Sequence, residues 1–400
     1  VKTVYCAPGN AGMNGLAKCV PIPAAKTSDL LQFAVQEKID LTVVGPEAPL
    51  VQGVVDLFEN NGLTIFGPSQ RASELEGSKA FAKYLMKAYN IPTADYRVFE
   101  EYEEAKSFVI ESNAPVVIKA DGLAAGKGVM ICYERKQALD ALEQIMQSRL
   151  FGAAGSKVII EELLSGEEVS VLALSDGENL VYFLPSQDHK RIFDGDQGMN
   201  TGGMGAYAPV PFVSEAMMTL IKRDIMEPTI RGMAMEGRPY KGVLYAGLML
   251  TDDGPKVLEY NCRFGDPETQ VILPLLETDL VEAMMAAATG RLDAVQWHNR
   301  KGAAVTVVIA SGGYPDAYQT GKTILGLEGA FDKEVMIFHA GTTREENRVV
   351  SSGGRVLAVT ALADRLQEAI AKAYRAVGKI AFDGAYYRRD IGAKALPYIK

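Results

Sequence analysis

The stretch "VLEYNCRFGDPETQ", residues 257–270, begins like a buried strand and then presents Glu259, Asn261, Arg263 and Asp266 in quick succession. The preceding "YKGVLYAGLMLTDD" makes it the second arm of a β-hairpin that turns at Asp252, Asp253 and Gly254. On a strand, Glu259 and Asn261 are two apart and share a face, while Tyr260 points to the other. Two oxygen-bearing side chains at that spacing suit a hard cation such as Mg²⁺, which takes few protein ligands and completes its shell with phosphate and water. Arg263 is the next residue on that face before the "FGDPE" turn, so a metal and a guanidinium can converge on one phosphoryl group. A structural hairpin with a chance polar face is the competing reading.

Upstream, "APVVIKADGLAAGKGVMIC" (114–132) reads as strand, glycine-rich loop and strand. It is not a P-loop. Three residues separate Gly122 from the Gly126–Lys127 pair where four are required, Gly128 replaces the Ser or Thr, and no helix follows. A flexible hairpin lid fits better: glycines let backbone N–H groups approach phosphate oxygens, and Lys119 and Lys127 add positive charge. The preceding "SKAFAKYLMKAYNIP" (78–92) predicts a helix capped by Ser78 and stopped by Pro92, with Lys79 and Lys83 one turn apart. A solvated charged face is the alternative there. In "KVIIEELLSGEEVSVLAL" (157–174), Glu161, Glu162 and Leu164 could recognise adenine and Glu168 a ribose, unless the segment is an ordinary hairpin with an acidic edge.

The segment "PSQDHKRIFDGDQGMNTGGMGAYAP" (185–209) has little regular hydrophobic periodicity and is expected to be a long polar loop. Such a loop inside a compact domain is functional or disordered, and its flanking apolar strands favour order. Lys190 and Arg191 beside Asp188 suit a phosphorylated sugar, and the turn Asn200, Thr201, Gly202, Gly203 offers backbone N–H groups to an anion. A solvated loop is the alternative.

Residues 1–77 alternate short apolar strands with helical stretches, the rhythm of an open parallel sheet. Such sheets bind ligands beyond the carboxyl ends of their strands, where "VVGPEAPL" places Pro46 and Glu47. A tight connection explains the same residues equally well. No glycine-rich phosphate turn follows a first strand; either the fold has none, or a leading strand, loop and helix are absent from this sequence. From about 301, apolar strands and the amphipathic "RLQEAIAKAYRAVGKI" predict a small α+β unit whose "SGGYP" and "SSGGR" turns read as plain connections.

Composition narrows the class. The chain has 400 residues, 48% hydrophobic and 23% charged, enough for several domains with a real core. A net charge of -9 argues against a general nucleic-acid surface. No apolar run approaches the about 20 residues that span a bilayer, and no signal pattern opens the chain, so the expected location is the cytoplasm. Four cysteines without a CxxC pair are expected as buried free thiols, and three scattered histidines leave any metal to oxygen ligands.

Together, "GSKAFAKYLMKAYNIPTA", "VVIKADGLAAGKGV", "IIEELLSGEEVSVLAL", "SQDHKRIFDGDQGMNTGGMGAY" and "LEYNCRFGDPETQ" resemble the phosphoribosylamine-glycine ligase family of ATP-grasp enzymes, in order and through essentially the whole chain. The hairpin and the Glu-x-Asn strand alone would indicate only an ATP-grasp fold; "QDHKR", "NTGGMGAY" and "NCRFGDPETQ" point to this member.

The resemblance implies an α/β and α+β multidomain chain: an N-terminal pre-ATP-grasp domain at 1–77, an ATP-grasp domain at 78–300 with a lid at about 98–162, and a C-terminal α+β domain at 301–400 packed back over the site. It implies ATP as cofactor, with Lys79, Lys119, Gly122, Gly126, Lys127 and Gly128 at its phosphates and Glu161, Glu162, Leu164 and Glu168 around adenosine. Glu259 and Asn261 would bind Mg²⁺ or Mn²⁺; family members often add an acidic ligand from the neighbouring strand, and "AGLML" supplies none. Arg263 and Lys190 would be catalytic. Pro46, Glu47, Asp188, Arg191, Asn200, Thr201, Gly202, Gly203 and Asp266 would join them at the substrates, glycine and 5-phosphoribosylamine.

The implied reaction forms glycyl phosphate and then an amide, in a monomer with no nucleic-acid or membrane partner. The family opens with a strand and a "GxGGREH" turn, so part of the amine site and one central strand are expected to be lacking here, the ATP half being less affected. Another carboxylate-amine ligase, or a nucleotide-binding protein without turnover, are the remaining readings.

Overall fold

The computed structural model describes residues 1–13, 15–112, 115–124 and 128–399. Its centre is a four-stranded antiparallel sheet in the order Leu180–Tyr182, Glu167–Asp176, Lys241–Thr251, Gly254–Asn261. The run "GVLYAGLML" shows no polar alternation because both faces are covered. Val243 and Tyr245 enter one hydrophobic core, and Leu244, Ala246 and Leu248 another on the opposite face. The hairpin turns at 252–253 as expected, with the Thr251 hydroxyl donating to the Gly254 carbonyl and accepting from the Asp253 N–H.

A second antiparallel sheet, in the order Tyr96–Phe99, Val158–Glu162, Val116–Ala120, Val129–Cys132, carries the glycine-rich hairpin. It has a core of its own, where Ile118, Val158 and Ile160 pack on Ala105, Val109, Ala138 and Leu142 of two covering helices. That core is separate from the two that flank the central sheet.

The third sheet runs Gln187–Asp188, Gly205–Ala208, Ala303–Ser311, Arg355–Ala363, Val335–His339, with Ala385–Tyr386 added to Ala303–Ser311. The helix Leu366–Val377 covers it with Leu366, Ala369, Ala373 and Ala376, spaced three to four apart as a buried stripe. This sheet takes strands from both sides of residue 300, so the division expected there does not separate one sheet from another.

Two expectations change. The polar stretch 185–209 is not an irregular loop: Arg191–Phe193 pairs with Gln197–Asn200, and Gln187–Asp188 with Gly205–Ala208. Its strands are only two to four residues long, and Gly205–Ala208 is buried at every position, so neither a period of two nor a clear apolar run shows in the sequence. The N-terminal strands do not form one open sheet among the described residues. Tyr5–Cys6 pairs in parallel with Lys18–Cys19, and Thr42–Val43 separately with Ile65–Phe66. Ladders two residues long contribute little, and that region is held by Leu50, Val54, Val55, Phe58 and Ile65 in the main core. Of the four free cysteines, Cys132 and Cys262 are buried, Cys6 is partly so and Cys19 is exposed.

Candidate active site

A cleft of about 600 Å³ lies between the central sheet and the hairpin layer, closed on its third side by the C-terminal sheet. One wall starts at the helix Lys79–Ala88. Ser78 caps it, the hydroxyl accepting from the Phe81 N–H at 3.1 Å and donating to Asp121 at 3.1 Å. Asp121 opens the glycine-rich hairpin and also accepts from the Ala80 N–H, which ties the hairpin's root to the helix start. The cap therefore sets where the lysines sit. Lys79 donates to the Gly122 carbonyl at 3.0 Å, and burial lowers its pKa.

One turn on, Lys83 meets Glu161 at 3.1 Å, and Lys119 meets the same carboxylate at 2.9 Å; the three side chains are 2–7% exposed. Lys83 also donates to the Thr93 hydroxyl, and Lys119 to the Leu258 carbonyl at 2.9 Å. Leu258 is the unpaired residue of a bulge, since Gly247 faces Glu259 while Leu248 faces Val257. The bulge turns that carbonyl toward the lysine. Burial brings Lys83 down to about 8 even against the pull of Glu161.

Glu161 thus sits between two lysines, while still lining the cleft. Glu162 accepts from the Asp95 N–H and faces Lys256 at 3.6 Å, and Leu164 reaches the cleft wall. Gly122 and Gly128 line the cleft; Gly126 and Lys127 lie outside the described residues.

At the floor, Glu259 and Asn261 both face the cleft, and Tyr260 turns away to hydrogen-bond Thr229 at 2.7 Å. Gly247 stands across from Glu259, leaving its side chain room. Among the described residues no group of three or more His, Cys, Asp or Glu could cage a metal. Two oxygen-bearing side chains on one strand face suit a hard divalent cation that completes its shell with other oxygens.

Arg263 is gripped by Glu47 at 3.4 Å and Glu76 at 3.5 Å, and the other oxygen of Glu76 accepts from the Cys262 N–H at 2.7 Å. Burial pushes the Glu76 carboxyl up to about 7, with Arg263 and that N–H pulling it back. Burial works against the charge of Arg263, yet Glu76 and Glu47 hold its pKa above the usual value. Glu76 was not singled out from the sequence; on a helix 186 residues from Cys262 it belongs to no local pattern. Pro46 lines the same wall.

At the far end, Lys190 bridges Asp188 at 2.9 Å and Glu168 at 2.8 Å. Although burial opposes its charge, the two carboxylates hold it protonated, well above the ordinary lysine value. Glu168, expected at a ribose, is engaged here with Lys190. Behind them Glu268, also unanticipated, is buried and accepts from the Tyr245 and Ser170 hydroxyls; burial first and then Asp188 raise its pKa.

The turn at 200–203 differs from expectation. Asn200, Thr201 and Gly202 line the cleft, but the N–H groups are taken: Thr201 donates to the Lys190 carbonyl, Gly202 to the Tyr314 hydroxyl, Gly203 to the Thr201 hydroxyl and Met204 to the His189 carbonyl. The turn is a wall rather than an anion cradle. Gly203 packs against Pro267, with no room for a Cβ, and Arg191 points to the Gly198 carbonyl at 2.7 Å; neither lines the cleft. What does reach the cleft is Arg355, from the strand Arg355–Ala363, bonded to Asp266. Its "SSGGR" turn reads as a plain connection, so nothing local marked it.

The chain is similar to known proteins along nearly its whole length. Residues 1–76, 77–269 and 304–394 match, in turn, the N domain, the ATP-grasp (A) domain and the C domain of Phosphoribosylglycinamide synthetase. The chain is 51% identical over 401 residues to a phosphoribosylamine–glycine ligase of Chlorobaculum tepidum, covering 99% of this chain and 94% of that one. The crystal structure of phosphoribosylamine–glycine ligase from Thermotoga maritima superposes with a TM-score of 0.85 at 36% identity, covering 98% and 94%. A biotin carboxylase from Campylobacter jejuni, at 16% identity and a TM-score of 0.75 over 96% and 87%, shares the fold alone.

Proposed function

Because the chain belongs to the phosphoribosylglycinamide synthetase family, we propose that its cleft joins the carboxylate of glycine to the amine of 5-phosphoribosylamine, driven by ATP, in purine biosynthesis. The observation that carries this reading is one cleft lined by Lys79 and Lys83 of a capped helix, Lys119 of the hairpin layer, the Glu259 and Asn261 pair, Arg263, and the Lys190 cluster.

Glycine carboxylate is a poor electrophile. Its oxygen first attacks the ATP γ-phosphorus, which releases ADP and leaves glycyl phosphate; the amine then attacks the acyl carbon, and phosphate departs as the amide forms. Lys79, Lys119 and the hairpin hold the polyphosphate, and Glu161 and Leu164 border the base. Glu259 and Asn261 would hold Mg²⁺ or Mn²⁺, which neutralises phosphate charge when bound. Arg263, aimed by Glu47 and Glu76, stabilises the charge on the phosphoryl group in transfer. Lys190 stays protonated and offers its charge to the glycine and acyl oxygens, with Asp188, Asn200, Thr201 and Asp266 around the amine. Positioning dominates both steps, and well-oriented reactants gain about 7–11 kcal/mol over a bimolecular encounter. The hairpin layer, with its own core, closes to exclude water from the acyl phosphate.

Segments 1–77, 78–300 and 301–400 divide these tasks in the same reading, with a monomer in the cytoplasm as the working form. No helix among the described residues is long and apolar enough to cross a membrane.

The test is ADP release with Mg²⁺, glycine and freshly made phosphoribosylamine, each omitted in turn. ADP formation that needs both organic substrates is the expected result. ADP that forms equally well with a different amine, or only without glycine, would overturn the assignment.

A further inference from the structure

The substrate of the proposed ligation carries a phosphate monoester, and the groups first expected to receive it are turned elsewhere. The N–H groups of the 201–204 turn are engaged within the protein. Arg191 donates to the Gly198 carbonyl outside the cleft, and Lys190 is matched by two carboxylates. Arg355 has a different environment.

Its guanidinium enters the cleft from the first residue of the strand Arg355–Ala363, with the side chain 22% exposed. One terminal nitrogen donates to two carbonyls, Gly202 at 2.5 Å and Asp266 at 2.8 Å; the other donates to the Asp266 carboxylate at 2.9 Å. The carbonyls fix the plane of the group without cancelling its charge. The carboxylate that does cancel it is half exposed, on a short side chain at the cleft edge. Gly202 is what allows this approach, since a Cβ there would lie 3.0 Å from the guanidinium carbon. Tyr314, whose hydroxyl holds the Gly202 N–H, packs against Gly354 just before the arginine.

The arrangement is a pre-aimed, charged fork whose only ionic partner among the described residues is an exchangeable carboxylate. We propose that Arg355 binds the phosphate of the amine substrate, a phosphate oxygen replacing the Asp266 carboxylate on the fork while the Gly202 and Asp266 carbonyls keep the guanidinium in place. The proposal rests on the ligase reading above. It makes the C-terminal segment a supplier of substrate affinity as well as a cover.

Three variants test it: Arg355→Gln, which can still donate to the carbonyls but has no charge, Arg355→Lys and Arg355→Ala. Steady-state kinetics would give KM separately for phosphoribosylamine, glycine and ATP, with inorganic phosphate as a competitor of the amine substrate. A lost charge-assisted contact predicts that R355Q and R355A raise KM for phosphoribosylamine about 10- to 100-fold. KM for ATP and glycine should stay within about twofold, R355K should recover part of the loss, and inhibition by inorganic phosphate should weaken in R355Q by a similar factor. A normal phosphoribosylamine KM in R355Q overturns the proposal, and so does a parallel rise of all three constants, which marks a structural role. If the unsubstituted protein releases no ADP that depends on glycine and phosphoribosylamine, it is the ligase reading that fails.

Discussion

The two ends of the cleft hold charge in opposite ways. At the end built on the helix Lys79–Ala88, Lys83, Glu161 and Lys119 are 2–7% exposed, the helix lysine meeting two paired strands of the hairpin layer. At the other end, Lys190 is 33% exposed between Asp188 at 8% and Glu168 at 41%, and Arg355 meets Asp266 across 89 residues of chain. Ions buried with all their partners are rigid and cannot be separated without a large cost, because a lone charge in a dry site has no water to turn to. Half-exposed pairs are weak and can exchange one partner for another. In the proposed reading the first end presents a fixed field to a polyphosphate, and the second yields its internal partners to a substrate.

The sharpest way to break this contrast is Glu161→Ala, which strands two buried ammonium groups. Urea unfolding is expected to show a loss of about 3–5 kcal/mol. A near-neutral result would mean the lysines reach water and the rigid end is not rigid.

Next comes Arg263→Ala, between the two ends. Turnover should fall about 10²- to 10³-fold, as when one donor to a developing oxyanion is removed, with nucleotide affinity unchanged by calorimetry. Normal turnover would remove Arg263 from the chemistry.

A third test uses pH on a buried group that flanks Asp188 and Lys190 in sequence but does not line the cleft. His189 is buried beside Arg388, Lys394, Asp196 and Asp390, and desolvation, with Arg388 and Lys394 adding to it, lowers its pKa from 6.5 to about 4. The folded state resists a proton that the unfolded chain accepts, so stability is full above pH 6.5 and is lost as pH falls toward 4. The histidine's share is about 3 kcal/mol. His189→Gln should flatten that part of the acid transition, and an unchanged profile would place the ring in contact with water.

The smallest expected effect is Glu168→Ala, the exposed counterpart of Glu161→Ala, at about 0–1 kcal/mol of stability. A loss as large as that of E161A would erase the distinction between the ends.

What was legible in the sequence follows the same line. The capped helix at 79–88, the hairpin turning at 252–253 and the shared face of Glu259 and Asn261 depend on neighbours within a few residues, which a local pattern records. Glu76, Glu268 and Arg355 gain their surroundings from strands and helices far along the chain, and no local pattern marks them. The turn at 200–203 shows the converse: its composition suited an anion, but which N–H groups were free depended on Tyr314, 112 residues away from Gly202. The short strands of 187–208 were missed because each is only two to four residues long, too short to reveal a period.

By itself, then, the sequence determined the repertoire: a glycine-rich hairpin, two oxygen-bearing side chains on one strand face, and a set of basic and acidic groups, with the family resemblance adding the ATP-grasp fold. Periodicity, capping and spacing are local physics and survive without a fold. Only the tertiary structure decided which charges pair with each other and which stay available to a ligand. That depends on burial and on the distance between groups brought together by packing, and neither quantity exists until the chain has closed on itself.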